Sequence, residues 1–187
     1  MSENVCVTLS SHARETNNEP RVTFNGRGQL HNLNGPAVLY PSGHEFWYKD
    51  GQLHNDNGPA VRNPGINASI YYKHGKVSRP LDSGGAYWDQ MGGYAFAVDG
   101  KASDKGKRAA LYNADLGMHV HCKNGIIHNM SGPAIKFNTL SNKFHFINGV
   151  QTGHDGNWNT FADEHGLPKN PCSEVDAFIH IEAFRKK

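Results

Sequence analysis

Short apolar runs alternate with glycine-rich turns along most of this chain, and the pattern returns about every 24 residues. Each repeat has one run after a Gly-Pro-Ala element, such as Ala37-Val38-Leu39-Tyr40. A second, aromatic run precedes the next glycine. Short runs rich in β-branched and aromatic residues, bounded by Pro, Gly and Asn, are typical of β-strands. The pattern therefore predicts a mainly β protein.

A glycine dipeptide follows each aromatic run and indicates how the strands are joined. Asn-Gly and Asp-Gly supply the two positive φ angles that a two-residue hairpin turn requires. The dipeptides at this phase are Asp50-Gly51, His74-Gly75, Asp99-Gly100, Asn124-Gly125 and Asn148-Gly149. We therefore expect an antiparallel β-hairpin repeat array of about five units over residues 22–153, in which each unit buries its core against its neighbours.

The ends of the chain depart from the repeat. Residues 1–21 contain one candidate strand, Val5–Leu9, and a polar linker. Residues 154–187 predict a capping segment for the array, with a first short helix between Asn157 and Pro168. Ser173-Glu174-Val175-Asp176 resembles a capping box before a second helix. The alternation in 178–182 leaves a strand as the alternative, and the helix is favoured.

Composition narrows the class of protein. The chain has 37% hydrophobic and 19% charged residues, 21 glycines and a net charge of +2. A dedicated nucleic-acid binder usually carries a more basic balance. Cys6, Cys122 and Cys172 are widely separated, which argues against a disulfide framework and a thiolate zinc site and favours a reducing compartment. Without a membrane span or signal peptide in the sequence, we expect a cytoplasmic protein with no cofactor.

Histidines recur at fixed phases of the repeat. His31, His54 and His128 fall at one phase, about 10 Å apart at two strand spacings, which is too far to share a metal ion. We expect each imidazole to hold the Gly-Pro-Ala loop by a backbone hydrogen bond. His119 and His121 share a strand face and His145 has the phase of His121, which makes them the metal candidates. They lack a matching carboxylate or thiolate, so no metal site is predicted.

The irregular middle of the array carries the predicted binding site. The Gly-Pro-Ala element decays there, and an insertion that breaks a repeat projects from one face. Aromatic and basic side chains, the usual carriers of interface energy, concentrate in this part of the chain. The predicted binding residues are Tyr87, Trp88, Lys101, Lys105, Lys107 and Arg108.

The motif G-x-x-H-x-x-x-G-P-A, followed by an aromatic strand ending in Asp-Gly or Asn-Gly, resembles repeats in proteins of tailed bacteriophages and other large viruses. It is more distantly similar to the MORN-type hairpin repeat. The resemblance covers 22–153 and is strongest in the units that begin at Gly28, Gly51 and Gly125. Where the family pattern has Arg after the histidine, this chain has Asn32, Asn55 and Asn129.

The resemblance implies a viral, non-enzymatic binding scaffold, and in particular a phage-encoded inhibitor of a host protein or defence system in the host cytoplasm. Two alternatives stay open. The basic loop 101–108 favours a nucleic-acid or nucleotide-binding protein. The C-terminal His154, Asp163 and His165, beside Asp155 and Glu164, provide the acid and base groups of a small hydrolase.

Overall fold

The computed structural model describes residues 5–8, 19–154 and 156–183, and the chain forms two compact units, Met1–Lys76 and Val77–Lys187. We call them the N-terminal unit and the C-terminal unit. Both consist of short antiparallel strands, and two short helices lie near the C-terminus. The predicted mainly β class, built from antiparallel hairpins, is thereby confirmed.

The N-terminal unit contains a main sheet and a small hairpin. Its strands, in chain order, are β1 Val5–Thr8, β2 Arg21–Phe24, β3 Val38–Leu39, β4 Glu45–Phe46, β5 Tyr48–Lys49, β6 Gln52–Leu53, β7 Val61–Asn63, β8 Ala68–Ile70 and β9 Tyr72–Lys73. The main strands pair in the order β1-β2-β3-β4-β7-β8, and β5 pairs with β6. A 3₁₀ turn, Pro64–Ile66, joins β7 to β8.

The C-terminal unit repeats this arrangement and adds the helices. After β10 Lys76–Val77, its strands are β11 Tyr87–Trp88, β12 Tyr94–Ala95, β13 Ala97–Val98, β14 Lys101–Ala102, β15 Leu111–Asn113, β16 Met118–Val120, β17 Cys122–Lys123, β18 Ile126–Ile127, β19 Ile135–Phe137, β20 Lys143–Ile147 and β21 Val150–His154. The main order is β11-β12-β15-β16-β19-β20-β21, with β13-β14 and β17-β18 as separate hairpins. The helices are α1 Trp158–His165 and α2 Val175–Ala183, and Leu81–Ser83 forms a 3₁₀ turn.

The hairpin turns have the predicted geometry. In all five dipeptides the residue before glycine has a φ between 49° and 51°, and the glycine has a φ between 74° and 82°. These are the two positive angles of a type I′ turn, which only glycine, asparagine and a few others adopt at low cost. The turn prediction is confirmed in every repeat, including the two repeats whose Gly-Pro-Ala element has decayed.

The histidine of each repeat binds a different partner from the one expected. Nδ1 of His54 accepts the backbone N–H of His74 at 3.2 Å, which lies in the turn of the next unit. His31 accepts from Asp50 and His128 from Asn148 in the same way. The backbone hydrogen bond of each ring is therefore to the following turn, whereas Nε2 of His54 also lies 2.9 Å from Oδ2 of Asp56 in its own loop.

Serine replaces histidine at this phase in the two repeats whose Gly-Pro-Ala element has decayed. The hydroxyl of Ser78 accepts the N–H of Asp99 at 3.1 Å, and that of Ser103 accepts from Asn124 at 3.4 Å. An acceptor for the turn N–H is thus present in all five repeats. What the repeat keeps at this position is a hydrogen-bond acceptor, because a backbone donor between stacked turns must be paired.

The asparagine after the histidine holds the Gly-Pro loop. Nδ2 of Asn55 donates to the carbonyl of Pro59 at 3.0 Å, and its Oδ1 accepts the N–H of Asn57 at 2.9 Å. Asn32 and Asn129 repeat the first contact with Pro36 and Pro133. Asparagine at this position is therefore a loop-closing residue in this chain.

The alanine of the Gly-Pro-Ala element belongs to the core. Five alanines two residues before an outward-facing strand position are fully buried: Ala37, Ala60, Ala86, Ala110 and Ala134. A methyl group is what a close-packed interior of this shape admits, since an added methylene in such a site forces strain. The alanine persists where the preceding Gly-Pro is lost, so core packing constrains it more tightly than the loop does.

The C-terminal segment forms the two expected helices. Oδ1 of Asn157 accepts the N–H groups of Asn159 and Thr160 at the start of α1, and Gly166 ends it with a φ of 63°. Trp158 is buried, with its ring 5.2 Å from that of Phe144 in β20. Residues 175–183 are helical, so the strand alternative is wrong. Of the N-terminal linker, residues 9–18 lie outside the described part of the chain.

A disulfide joins Cys122 to Cys172, so the expectation that these thiols stay reduced is wrong. Their Cα atoms lie 5.8 Å apart although 50 positions separate them in sequence. Cys122 belongs to β17, and the carbonyl of Cys172 accepts the N–H of Ala102 at 2.8 Å. The bond ties the helical segment to the small hairpins. Without a C-x-x-C pattern, only the tertiary fold brings the two sulfurs together.

Candidate ligand-binding groove

The basic loop of the C-terminal unit is a tight turn with a defined direction. Lys105 and Arg108 exchange two backbone hydrogen bonds of 3.1 Å, and Gly106 between them has a φ of 63°. This pairing places the side chains of Lys105 and Arg108 on the same aromatic surface. Asp104 fixes the base of the loop, because its Oδ1 accepts the N–H groups of Ala110 and Cys122 at 2.9 and 2.8 Å.

Both cations lie over aromatic rings. The guanidinium of Arg108 is 4.2 Å from the ring centroid of Tyr94 and 5.5 Å from that of Phe96. Nζ of Lys105 is 5.7 Å from the Phe96 centroid. Cations within about 6 Å of a ring face are attracted by its quadrupole. The rings thus hold the two positive charges in place, and both Lys105 and Arg108 remain exposed.

Trp88 also lines this groove, and Arg79 lies against the Trp88 ring. The guanidinium carbon of Arg79 is 5.4 Å from the Trp88 ring centroid, and its Nη1 donates to the carbonyl of Gly85 at 3.1 Å. A Cβ at Gly84 would lie 3.1 Å from Arg79 Nη1, and Gly84 has a φ of 111°. The positive φ therefore favours glycine at this position, and a larger residue would also displace the arginine.

These elements enclose a cavity of about 420 Å³, which we call the aromatic–cationic groove. Its lining residues are Gly84, Gly85, Tyr87, Trp88, Tyr94, Phe96, Lys105 and Arg108. A volume of this size is within the range of small-ligand sites, about 300–1,000 Å³. The groove combines an apolar floor with donors at its rim, which suits a flat or apolar group that carries negative charge.

The structure brings together four of the six residues predicted to bind. Tyr87, Trp88, Lys105 and Arg108 line the groove, although the Tyr87 ring is fully buried and its hydroxyl donates to Asp89 at 2.6 Å. Lys101 lies in β14 and packs against the Gly125 turn, where an added Cβ would be 3.0 Å from its Cγ. Lys107 is exposed at the tip of the loop and is not a lining residue.

Sequence reasoning missed Tyr94 and Phe96 as site residues. Phe96 has the repeat phase of Trp47 and His121, and Tyr94 precedes it by two positions on β12 and its extension. The repeat phase of Tyr94 and Phe96 therefore predicted that both residues lie on strands. What the phase could not indicate is that the loop 105–108 folds back over these rings rather than away from them.

The histidines proposed for metal binding have other partners. Nδ1 of His121 lies 2.7 Å from Oδ2 of Asp104, and the ring of His119 is 4.5 Å from that of Tyr112. Burial, and then the nearby charge of Lys136, lower the pKa of His119. In the described residues no three or more His, Cys, Asp or Glu side chains are grouped so that they could hold a metal ion.

The residues named for hydrolysis are likewise engaged elsewhere. Asp163 pairs with Lys169 at 3.0 Å, and Nδ1 of His165 lies 2.9 Å from the carbonyl of Phe161. The His165 ring stacks on Phe161 with centroids 4.0 Å apart. Asp155 and the side chain of His154 lie outside the described part of the structure. Asp163 and His165 thus stabilise α1 and its C-terminal turn.

Comparisons with protein-family models, with curated proteins and with solved structures gave no match to this chain. Across residues 5–8, 19–154 and 156–183, neither helix has the length and apolar character needed to cross a membrane.

Proposed function

We propose that this is a non-enzymatic binding protein that takes an anionic group of a larger partner into the aromatic–cationic groove. The observation that carries the proposal is the position of Arg108, stacked over Tyr94 and close to Phe96 at the rim of a 420 Å³ cavity. Arg and aromatic side chains in well-packed pockets carry most of the energy of typical interfaces.

The groove is suited to a charged group because its cations are ordered before binding. A guanidinium held on an aromatic face loses less side-chain freedom when it meets a ligand, and its fork still offers donors to a carboxylate or phosphate. The hydrogen bond from Arg79 to Gly85 orders the second guanidinium in the same way. An anion entering the groove beside Lys105 and Arg108 therefore meets positive charge with little reorganisation.

The finer identity of the partner rests on the sequence. The resemblance to viral repeat proteins implies a host protein, and with it an inhibitory role. A host protein would engage the groove through acidic side chains. The positive charge of the groove supports anion binding in general. Acidic proteins and nucleic acids both carry such anionic groups.

Fluorescence anisotropy with two labelled polyanions, polyglutamate and an oligothymidylate, tests the groove directly. We expect the parent protein to bind at least one of them and Arg108→Glu to weaken that binding by about tenfold or more, as for a central interface residue. Lys123→Glu, the same charge change on β17 outside the groove, is the matched control and should bind like the parent. Binding of neither polyanion, or equal binding by Arg108→Glu, would contradict the proposal.

A further inference from the structure

A row of side chains crosses the main sheet of the C-terminal unit next to the groove. Direct cross-strand neighbours on six successive strands form it: Trp88, Tyr94, Tyr112, His119, Lys136 and Lys143. The first five are half-buried and the last is exposed. At about 4.8 Å between strands, the row is about 24 Å long. We call it the ring–lysine row.

The rings in the middle of the row form one column. The centroids of Tyr94 and Tyr112 are 5.6 Å apart, those of Tyr112 and His119 are 4.5 Å apart, and the interplanar angles are 37° and 32°. Arg108 covers the outer face of Tyr94 at 4.2 Å. The column thus begins at a cation of the groove and ends at Lys136, whose charge contributes to the lowered pKa of His119.

The N-terminal unit shows that repeat architecture does not require such a row. The same positions of its main sheet are occupied by Arg21, Leu39, Glu45, Arg62 and Ser69, again as direct cross-strand neighbours. That row contains no ring, and Glu45 lies 3.8 Å from Arg62 in an ion pair. A succession of rings at this phase is therefore present in the C-terminal unit and not in the described strands of the N-terminal unit.

We infer that the groove and the ring–lysine row together bind single-stranded nucleic acid. A base enters the cavity beside Trp88, and the phosphates that follow it meet Arg108 and Lys105 and then Lys136 along the row. Single strands are typically bound on sheets whose exposed rings contact bases and whose cations follow the backbone. The inference rests on the proposed function, since its first subsite is the same groove.

An acidic protein surface would use only part of this arrangement. Carboxylates need the cations but make no use of an aromatic cavity or of four rings in line. A nucleotide presents a flat apolar base and a charged phosphate within one unit, which matches a line of rings that has Arg108 at one end and Lys136 at the other. The net charge of the chain is only +2. The affinity for nucleic acid therefore comes from this local surface and not from the overall charge.

The experiment compares three labelled ligands by anisotropy: an oligothymidylate of about 12 nucleotides, within the usual site size for small single-strand binding folds, an abasic oligomer with the same phosphates, and polyglutamate. We expect the oligothymidylate to bind about tenfold or more tightly than the abasic oligomer, because stacking of even one base is worth this much. The logarithm of its affinity should fall with the logarithm of salt concentration with a slope of about −2, from three phosphate contacts.

The variants separate this inference from the proposed function. Lys136→Glu lies on the row but outside the groove, and it should weaken oligothymidylate binding by about tenfold at an unchanged melting temperature, while the control Lys123→Glu should not. Equal affinity for the abasic oligomer or polyglutamate, or parent-like binding by Lys136→Glu, would overturn nucleic-acid recognition and leave anion binding at Arg108 standing. No binding of any ligand would overturn both.

Discussion

The backbone N–H of His74 donates to Nδ1 of His54 at 3.2 Å, and this contact joins two successive repeats. His54 is buried, and its Nε2 lies 2.9 Å from Oδ2 of Asp56, so each ring nitrogen has a partner. Because Nδ1 accepts, Nε2 carries the proton and donates to the carboxylate. One side chain thus fixes the next turn and the adjacent loop.

Removing this ring leaves a backbone donor unpaired. We expect His54→Ala to lower the free energy of unfolding by about 1–3 kcal/mol, the usual cost of an unsatisfied buried group. Urea denaturation of both proteins measures the difference. A variant that unfolds at the parent's midpoint would show that the stacked turns do not depend on the histidine.

The turn glycines should tolerate no side chain. Gly125 has a φ of 82°, and an added Cβ would lie 3.0 Å from Cγ of Lys101. We expect Gly125→Val to destabilise by more than about 1 kcal/mol, since a β-branched residue is strained at positive φ. Gly26→Val is the matched control, because Gly26 has open space around its Cβ position. Equal denaturant melts for both variants would contradict the turn assignment.

Two neighbouring basic residues of the loop 105–108 should differ in function. Arg108 stacks over Tyr94, whereas Lys107 is exposed and does not line the groove. The triple variant Trp88→Ala, Lys107→Glu, Arg108→Glu should no longer bind the ligand. Its melting temperature should stay within a few degrees of the parent's. Of the two single charge reversals, Arg108→Glu should account for the loss and Lys107→Glu should bind like the parent. Equal losses in the two single variants would indicate a diffuse charge effect instead of the groove.

The disulfide should contribute measurable stability. A bridge that closes a loop of this length typically contributes about 2–4 kcal/mol, chiefly by restricting the unfolded chain. We expect a reductant to lower the melting temperature of the parent. The melting temperature of Cys172→Ser, which lacks the bond, should not change on addition of the reductant. Intact-mass spectrometry should show two hydrogens gained on reduction. A parent whose melting temperature is insensitive to reductant would show that the bond is not needed for stability.

Asp56 should give the N-terminal unit a weak dependence on acid pH. Hydrogen bonds first from His54 and then from Lys73 lower the pKa of Asp56 to about 2, from 3.8. The folded state thus holds this proton less tightly than the unfolded state. The stabilisation is complete above about pH 4 and is lost as the pH falls towards 2. It is small, since the Asp56 side chain is 58% exposed. Asp56→Asn should unfold with less change in midpoint over this range, and identical pH profiles would contradict the argument.

The local parts of this fold could be predicted from sequence because each depends on a few adjacent residues. At the hairpin phase of the repeat, Asp50-Gly51 and its counterparts adopt two positive φ angles, and Asn157 and Gly166 mark the ends of α1 by local backbone geometry. The prediction for His54 was half correct. Phase showed that the ring is structural, but the partner of Nδ1 lies 20 residues away and depends on how turns stack.

The sequence by itself determined the hairpin units, their turns, the helical C-terminal segment and the region of the basic loop. Only the tertiary structure decided the Cys122–Cys172 bond, the stacking of Arg108 over Tyr94, and the alignment of Tyr112 with His119 and Lys136. The physical reason is the range of the interactions. Turn and cap geometry follows from neighbouring residues, whereas disulfides, cation–ring contacts and cross-strand rows depend on the register between strands, which loops of unequal length set.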